Sequence, residues 1–135
     1  MPKLLAYAVA SLVVFTALTI SAQTAPRSSR QVFMEKDLAD FPGREAVVYQ
    51  VTYPPGTSNP PHRHDGHVFL HLLEGEVQVQ VKGGELVTLA PGQTYYEAPT
   101  DVHIVSRNPS ATVPARAMVF MIHMKGAPMT RPVPE

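Results

Sequence analysis

A strict alternation of polar residues with valine, at residues 76–82, constrains the fold of this chain more than any other feature. The segment reads EVQVQVK, so every second side chain is apolar. Because successive side chains of a strand point to opposite faces, the alternation predicts a β-strand with one buried and one solvated face. Such a strand needs partners, which predicts a sheet packed over a hydrophobic core.

Six further runs are rich in β-branched, aromatic or aliphatic residues, and glycine, proline or asparagine lies within two residues of the end of each. They cover residues 44–53, 68–73, 85–89, 94–97, 102–107 and 115–124. Seven short strands separated by turn residues are typical of a sandwich or barrel of antiparallel strands. No segment after residue 25 has a convincing helical pattern, and we therefore predict an all-β fold.

Residues 1–22 resemble an export signal. Lys3 supplies a positive charge, residues 4–20 carry no charge and are mostly apolar or small, and a small-residue cleavage site precedes Gln23. We predict a cleaved signal peptide, a periplasmic or secreted mature protein, and no stable membrane insertion after cleavage. An uncleaved anchor is the alternative, because the apolar run is near the lower limit of about 17 residues for crossing a bilayer.

The remaining residues form one predicted domain. Residues 23–31 are small and polar and predict a flexible leader, residues 32–125 hold all the predicted strands, and residues 126–135 contain three prolines and predict an irregular tail. Eleven basic and eleven acidic residues give no electrostatic reason to expect a nucleic-acid partner. Cysteine is absent, so stability must come from packing, a metal or association with another subunit.

The last predicted strand is apolar on both faces between residues 117 and 122. A half-solvated edge strand has polar residues on one face, so this strand is either central in its sheet or covered by another subunit. We expect a homodimer, because burying one face between two copies is the simpler account for a small domain.

Four of the six histidines fall within ten residues, and none precedes His62. His62 and His64 are two residues apart, so an extended chain points both imidazoles to one side. That spacing lets two nitrogens reach one ion about 2.0–2.1 Å away, the zinc distance. Such a pair is weak evidence by itself, because a solvated strand entry has the same pattern.

Two stretches together resemble the signature motifs of the cupin superfamily. The first, residues 56–75, has a glycine at each end and contains His62 and His64. The second, residues 92–108, contains a proline, then His103, and ends on an asparagine. The resemblance implies a jelly-roll barrel of antiparallel strands that holds a metal inside. It also implies that the barrel binds a small-molecule substrate or ligand.

Cupins usually hold their metal with two histidines and a glutamate from the first motif and one histidine from the second. Carried over, the histidine ligands are His62, His64 and His103, but Val68 stands where the glutamate belongs. Either three neutral histidines hold the ion and water or substrate completes its shell, or His67 replaces the glutamate through a bulge, or the site binds no metal.

A three-histidine centre leaves the ion its full charge and open positions, which favours an anionic chelating ligand such as an enolate. It resembles the iron centre of acetylacetone dioxygenases, which implies that Glu97, six residues before His103, faces the cavity and orients a water or a ligand imidazole. The alternative for Glu97 is a surface position. Iron, manganese, nickel, zinc and copper all suit imidazole ligands, and iron or manganese is favoured here.

The resemblance predicts a metal-dependent dioxygenase that acts on a small, chelating, oxygen-bearing substrate. A ligand-binding or sensing protein without turnover is the first alternative. A metal-assisted isomerase or lyase is the second. We expect His71 to pack between sheets or at an interface and His123 to pack in the last strand.

Overall fold

The structure, a computed structural model, describes residues 26–133. Within this range the chain forms β-strands and no helix, which confirms the all-β prediction. The strands are β1 (Ser29–Asp37), β2 (Arg44–Tyr53), β3 (His62–Arg63), β4 (His67–Glu74), β5 (Val77–Val81), β6 (Val87–Leu89), β7 (Thr94–Glu97), β8 (His103–Arg107), β9 (Ala115–Met124) and β10 (Arg131–Pro132).

The strands form two five-stranded antiparallel sheets. One sheet has the order β1-β2-β9-β4-β7 and the other has the order β10-β3-β8-β5-β6. From β2 onward the chain crosses between the sheets at each connection except the β5–β6 hairpin, which is the path of a jelly roll. The core lies between the sheets and consists of Val47, Tyr49, Val51, Tyr53, Val68, Leu70, Leu72, Val77, Val79, Leu89, Ala115, Ala117, Val119 and Met121.

Two strands show how the sequence pattern produces this packing. In β5, Val77 and Val79 are fully buried, while Gln78 points outward and donates a hydrogen bond to the Thr88 hydroxyl on β6. Strand β9 lies between β2 and β4, so its doubly apolar sequence belongs to a central strand. Its outer face remains half-exposed in the single chain, with Phe120 at 40% exposure.

Strand β1 begins before residue 32, the first residue of the predicted domain. Residues 29–31, assigned above to the flexible leader, are its first residues, and it pairs with β2 from Ser29 opposite Thr52 to Asp37 opposite Glu45. All nine of its residues are exposed, so backbone hydrogen bonds rather than an apolar face hold it, and no alternation marks it in the sequence. The tail likewise contains a strand, since β10 pairs with β3.

The predicted signal peptide, residues 1–22, lies outside the described residues, and so do residues 23–25 of the leader. Among residues 26–133, no helix has the length and apolar character needed to cross a membrane.

Candidate metal centre

Two short strands bring the three predicted histidines together. His62 begins β3 and is the antiparallel partner of His103, which begins β8. His64 follows β3 by one residue, and its ring centroid lies 5.0 Å from that of His62. One candidate ligand nitrogen of each ring lies within 4.8 Å of the other two, so the three histidines could bind a metal ion.

Backbone carbonyls fix the orientation of two of these rings. Nδ1 of His62 lies 2.8 Å from the carbonyl oxygen of Pro60, and Nδ1 of His64 lies 2.6 Å from that of Met129. A carbonyl oxygen can only accept, so each Nδ1 carries a hydrogen and donates it. Nε2 therefore keeps its lone pair, which is the arrangement that metal-ligating histidines usually have.

His103 is the most buried of the three, at 2% exposure. Among residues 26–133 neither of its ring nitrogens has a hydrogen-bond partner, although Oε2 of Glu97 lies 3.1 Å from Nδ1 without being aligned as a hydrogen-bond acceptor. A buried polar atom without a partner costs about 1–3 kcal/mol. A bound ion would satisfy one of these nitrogens, so the site fits a metal.

Burial also sets the charge of the cluster. It lowers the pKa of His62 to about 4, against the opposing effect of its hydrogen bond to Pro60. It lowers the pKa of His64 as well, again against the attraction of Glu97. Both imidazoles are therefore neutral near pH 7, and a neutral imidazole is the form that binds a metal.

Glu97 is a buried carboxylate at the edge of the cluster, with 3% exposure. Its Oε2 lies 3.7 Å from Nε2 of His64, in addition to the contact with His103. Burial acts to raise its pKa, but the contact with His103, followed by electrostatic attraction to the imidazoles of His103, His64 and His62, holds the pKa of Glu97 below its usual range. It is therefore an ionised interior group, not the surface residue that was the alternative.

The three histidines and Glu97 lie on the wall of a cavity of about 230 Å³. This volume corresponds to roughly eight water molecules, so it suits a small ligand. Apolar side chains such as Val51, Leu70 and Val119 form much of its interior. Tyr49 and Tyr53 also line it, and burial raises the pKa of Tyr53 to about 12, so this phenol stays protonated.

The family model for the cupin domain matches residues 49–121, more than half of the chain. This chain belongs to the cupin domain family. The match contains all three clustered histidines and Glu97. No curated protein matches the sequence.

Solved structures with the same fold come from several bacteria. An uncharacterized conserved protein with a double-stranded β-helix domain from Klebsiella pneumoniae subsp. pneumoniae MGH 78578 is 19% identical, with a TM-score of 0.62 over 90% of this chain and 97% of that one. A cupin superfamily protein from Desulfitobacterium hafniense DCB-2 is 12% identical, with a TM-score of 0.58 over 77% and 84% of the two chains.

A DMSP lyase from Ruegeria pomeroyi DSS-3 is also similar, at 22% identity and a TM-score of 0.57 over 65% of this chain. The match covers 43% of that lyase and 44% of a second structure of DMSP lyases, so this chain spans less than half of their length. At these identities the likeness shows the shared fold alone.

The usual cupin ligand set includes a glutamate from the first motif. In this chain the carboxylate beside the histidines comes from a different strand. Val68 on β4 is buried and lines the cavity, and its antiparallel partner on β7 is Glu97. Residues directly opposite on an antiparallel pair project to the same face. The carboxylate therefore enters the cavity one strand away from the position where cupins usually carry a glutamate.

The other histidines lie away from this cavity. His67 and His71 are exposed on β4, where their Nδ1 atoms lie 2.8 Å from the Tyr96 hydroxyl and 3.0 Å from the Thr94 hydroxyl. His67 therefore does not replace the missing glutamate, and His71 is not packed between the sheets. His123 is buried in β9 with Nε2 3.2 Å from Oε1 of Glu45, in agreement with the packing position expected for it.

Several residues that shape the site were not predicted. Arg30 on β1 and Thr130 beside β10 line the cavity, and Met129 holds His64 through its carbonyl. All three lie in segments that sequence composition assigns to a leader and a tail. No pattern in those segments signals the cavity, because their residues reach it through long-range strand pairing.

Proposed function

We propose that this cupin binds a divalent transition metal through His62, His64 and His103 and acts as a dioxygenase on a small substrate that chelates the metal. The observation that carries the proposal is the position of three neutral imidazoles on the wall of a small cavity. Iron or manganese, when bound, would supply the Lewis-acid and redox chemistry that oxygenation requires.

The residues around the ligands support this chemistry in distinct ways. Pro60 and Met129 orient His62 and His64 through their carbonyls, which keeps the ligand nitrogens directed inward. Three neutral ligands do not reduce the charge of the ion, so an anionic chelating substrate such as an enolate is favoured. The apolar wall formed by Val68, Leu70 and Val119 limits the water around that substrate.

Glu97 is a positioning residue in this proposal. Its carboxylate lies beside His103 and is ionised, so it can orient this imidazole and raise its basicity as a ligand.

A metal-assisted lyase or isomerase reaction is the second candidate. It needs a base that removes a proton from substrate near the ion, and Glu97 is an ionised carboxylate on the cavity wall, 3.7 Å from Nε2 of His64. Two of the structures with this fold are described as DMSP lyases, which makes elimination a reaction class to include in the assays. Ligand binding without turnover is the third.

Oxygen consumption separates these candidates. Metal-replete protein should consume oxygen with one or more members of a panel of β-diketones, flavonols and catechols. Substrate loss that proceeds equally without oxygen would replace the dioxygenase by a lyase or isomerase. Tight binding across the panel with no substrate loss would leave a binding protein. The His62→Ala variant controls for reaction by free metal.

We further propose that the mature protein is periplasmic or secreted and works as a homodimer. The apolar character of residues 4–20 supports export. The half-exposed aromatic rings of Phe69, Tyr96 and Phe120 on one sheet support a dimer, because they form a contiguous apolar patch.

A further inference from the structure

The cavity next to the three histidines carries one arginine, which β1 brings there. Arg30 is the antiparallel partner of Val51 on β2, and the buried side chain of Val51 lines the cavity. Opposed residues of an antiparallel pair project to the same face, so Arg30 lies on the cavity side of β1, where it remains exposed to solvent. It lines the same cavity as His62, His64 and His103.

The guanidinium of Arg30 is held in place but keeps donors free. Its Nη1 donates a hydrogen bond to the hydroxyl of Thr130, at 3.0 Å. A guanidinium has five N–H donors, so this contact leaves most of them available. Within residues 26–133 no carboxylate forms an ion pair with Arg30, whereas Arg63 and Arg131 both pair with Asp65.

The charges around the cavity point to the sign of its ligand. Apart from histidine, Arg30 and Glu97 are the only charged side chains among the described residues that line it, and Glu97 is engaged with His103 and His64. The charge of Arg30 acts on Tyr49, which lines the same cavity. Burial raises the pKa of Tyr49, and the positive charge of Arg30 opposes this increase. Arg30 is therefore a cation on the cavity wall that no carboxylate of residues 26–133 pairs with.

We propose that Arg30 binds a carboxylate of the substrate, so that the ligands of this cupin are small carboxylic acids with a chelating pair of oxygens. The inference rests on the proposed metal site, which takes the chelating end. A guanidinium matches a carboxylate with two parallel hydrogen bonds, and these are about twice as strong as neutral ones. The cavity volume of about 230 Å³ suits a small acid of this kind.

Three ligands that share one chelating group test this inference. Acetopyruvate has the β-diketone of acetylacetone with a carboxylate in place of one methyl group, and its methyl ester is neutral. Their affinities for the iron(II)-loaded protein are measured by calorimetry without oxygen. Wild type should bind acetopyruvate more tightly than the other two. Arg30→Gln should weaken acetopyruvate by about 10- to 100-fold and should leave the neutral ligands and the metal content unchanged.

Arg27→Gln is the matched control, because Arg27 is an exposed arginine of the same segment that does not line the cavity. Equal affinity of wild type for acetopyruvate and its ester would overturn the inference. So would an equal loss for all three ligands in Arg30→Gln, or the same loss of acetopyruvate in Arg27→Gln. A carboxylate preference that depends on Arg30, seen without oxygen consumption, would support the inference and overturn the dioxygenase assignment alone.

Discussion

At the scale of single residues, the relation between Val68 and Glu97 decides the character of the site. The two are partners across β4 and β7, and both line the cavity. Val68 supplies only apolar surface, whereas the Glu97 carboxylate lies 3.1 Å from His103 and 3.7 Å from His64. The negative charge therefore lies next to His103 and His64, whereas Val68 makes the β4 side of the cavity apolar at this position.

Replacing Glu97 by glutamine tests this arrangement. Glutamine keeps the size of the side chain and removes the charge that orients His103, so metal affinity should fall by about 10- to 100-fold. Competition with a chelator of known affinity measures this loss. Glu74→Gln is the control, because Glu74 is partly exposed and pairs with Arg116 outside the cavity. Unchanged affinity in Glu97→Gln would show that the carboxylate has no role at the metal.

The substitution Val68→Glu places a second carboxylate in the cavity. Without metal it should destabilise the protein by about 1–3 kcal/mol, because a carboxyl group in this apolar wall takes up a proton and lacks hydrogen-bond partners. An ion should restore that stability, since the new carboxylate can bind it. Thermal unfolding with and without chelator measures both effects. Val79→Glu, at a buried position outside the cavity, should be destabilised equally in both conditions. Equal behaviour of the two variants would contradict the proposed position of the ion.

At the scale of strands and loops, the parts of the site that sequence predicts are those with a local signal. His62 and His64 are two residues apart, and His103 lies at the start of a run bounded by turn residues. The spacing and the two motifs therefore predict that these three histidines share one site. Arg30 and Met129 carry no such signal. Strand β1 is exposed along its whole length, and Met129 acts through its backbone carbonyl, which any residue possesses.

Asn108 connects the elements at the end of the barrel. Its side-chain nitrogen donates to the carbonyls of Tyr53 and Val113, and its oxygen accepts from the amide of Ser110. Asn108→Ala should lower the free energy of unfolding by about 2–4 kcal/mol, because these buried groups lose their partners. Urea denaturation measures the change. Gln78→Ala, on an exposed strand face, should cost less than about 0.5 kcal/mol. A loss below about 0.5 kcal/mol for Asn108→Ala would show that these hydrogen bonds of Asn108 do not stabilise the fold.

At the scale of the whole molecule, an apolar face of the first sheet remains partly exposed. The rings of Phe69 and Phe120 lie 6.2 Å apart between centroids, and Tyr96 lies 5.1 Å from Phe69. Sequence showed that this face is apolar, because β9 has no polar alternation. It could not show what covers the face, since a central strand and a subunit interface have the same pattern.

Phe120→Glu tests the proposed homodimer. Phe120 is 40% exposed in the single chain, so a charge there is tolerated in a monomer and is costly in a dimer interface. Sedimentation should show a dimer for wild type and a monomer for this variant. Val113→Glu, at an exposed loop position away from this face, should remain dimeric. Wild-type protein that is monomeric at every concentration would contradict the proposal.

The metal content of the protein tests the central claim most directly. Elemental analysis of the mature protein, purified from its own compartment, should find one divalent transition metal ion per chain. His62→Ala should lose that ion, whereas His71→Ala should keep it, because His71 lies exposed on the outer face of β4. Equal metal in wild type and His62→Ala, or no metal in wild type, would contradict the three-histidine centre.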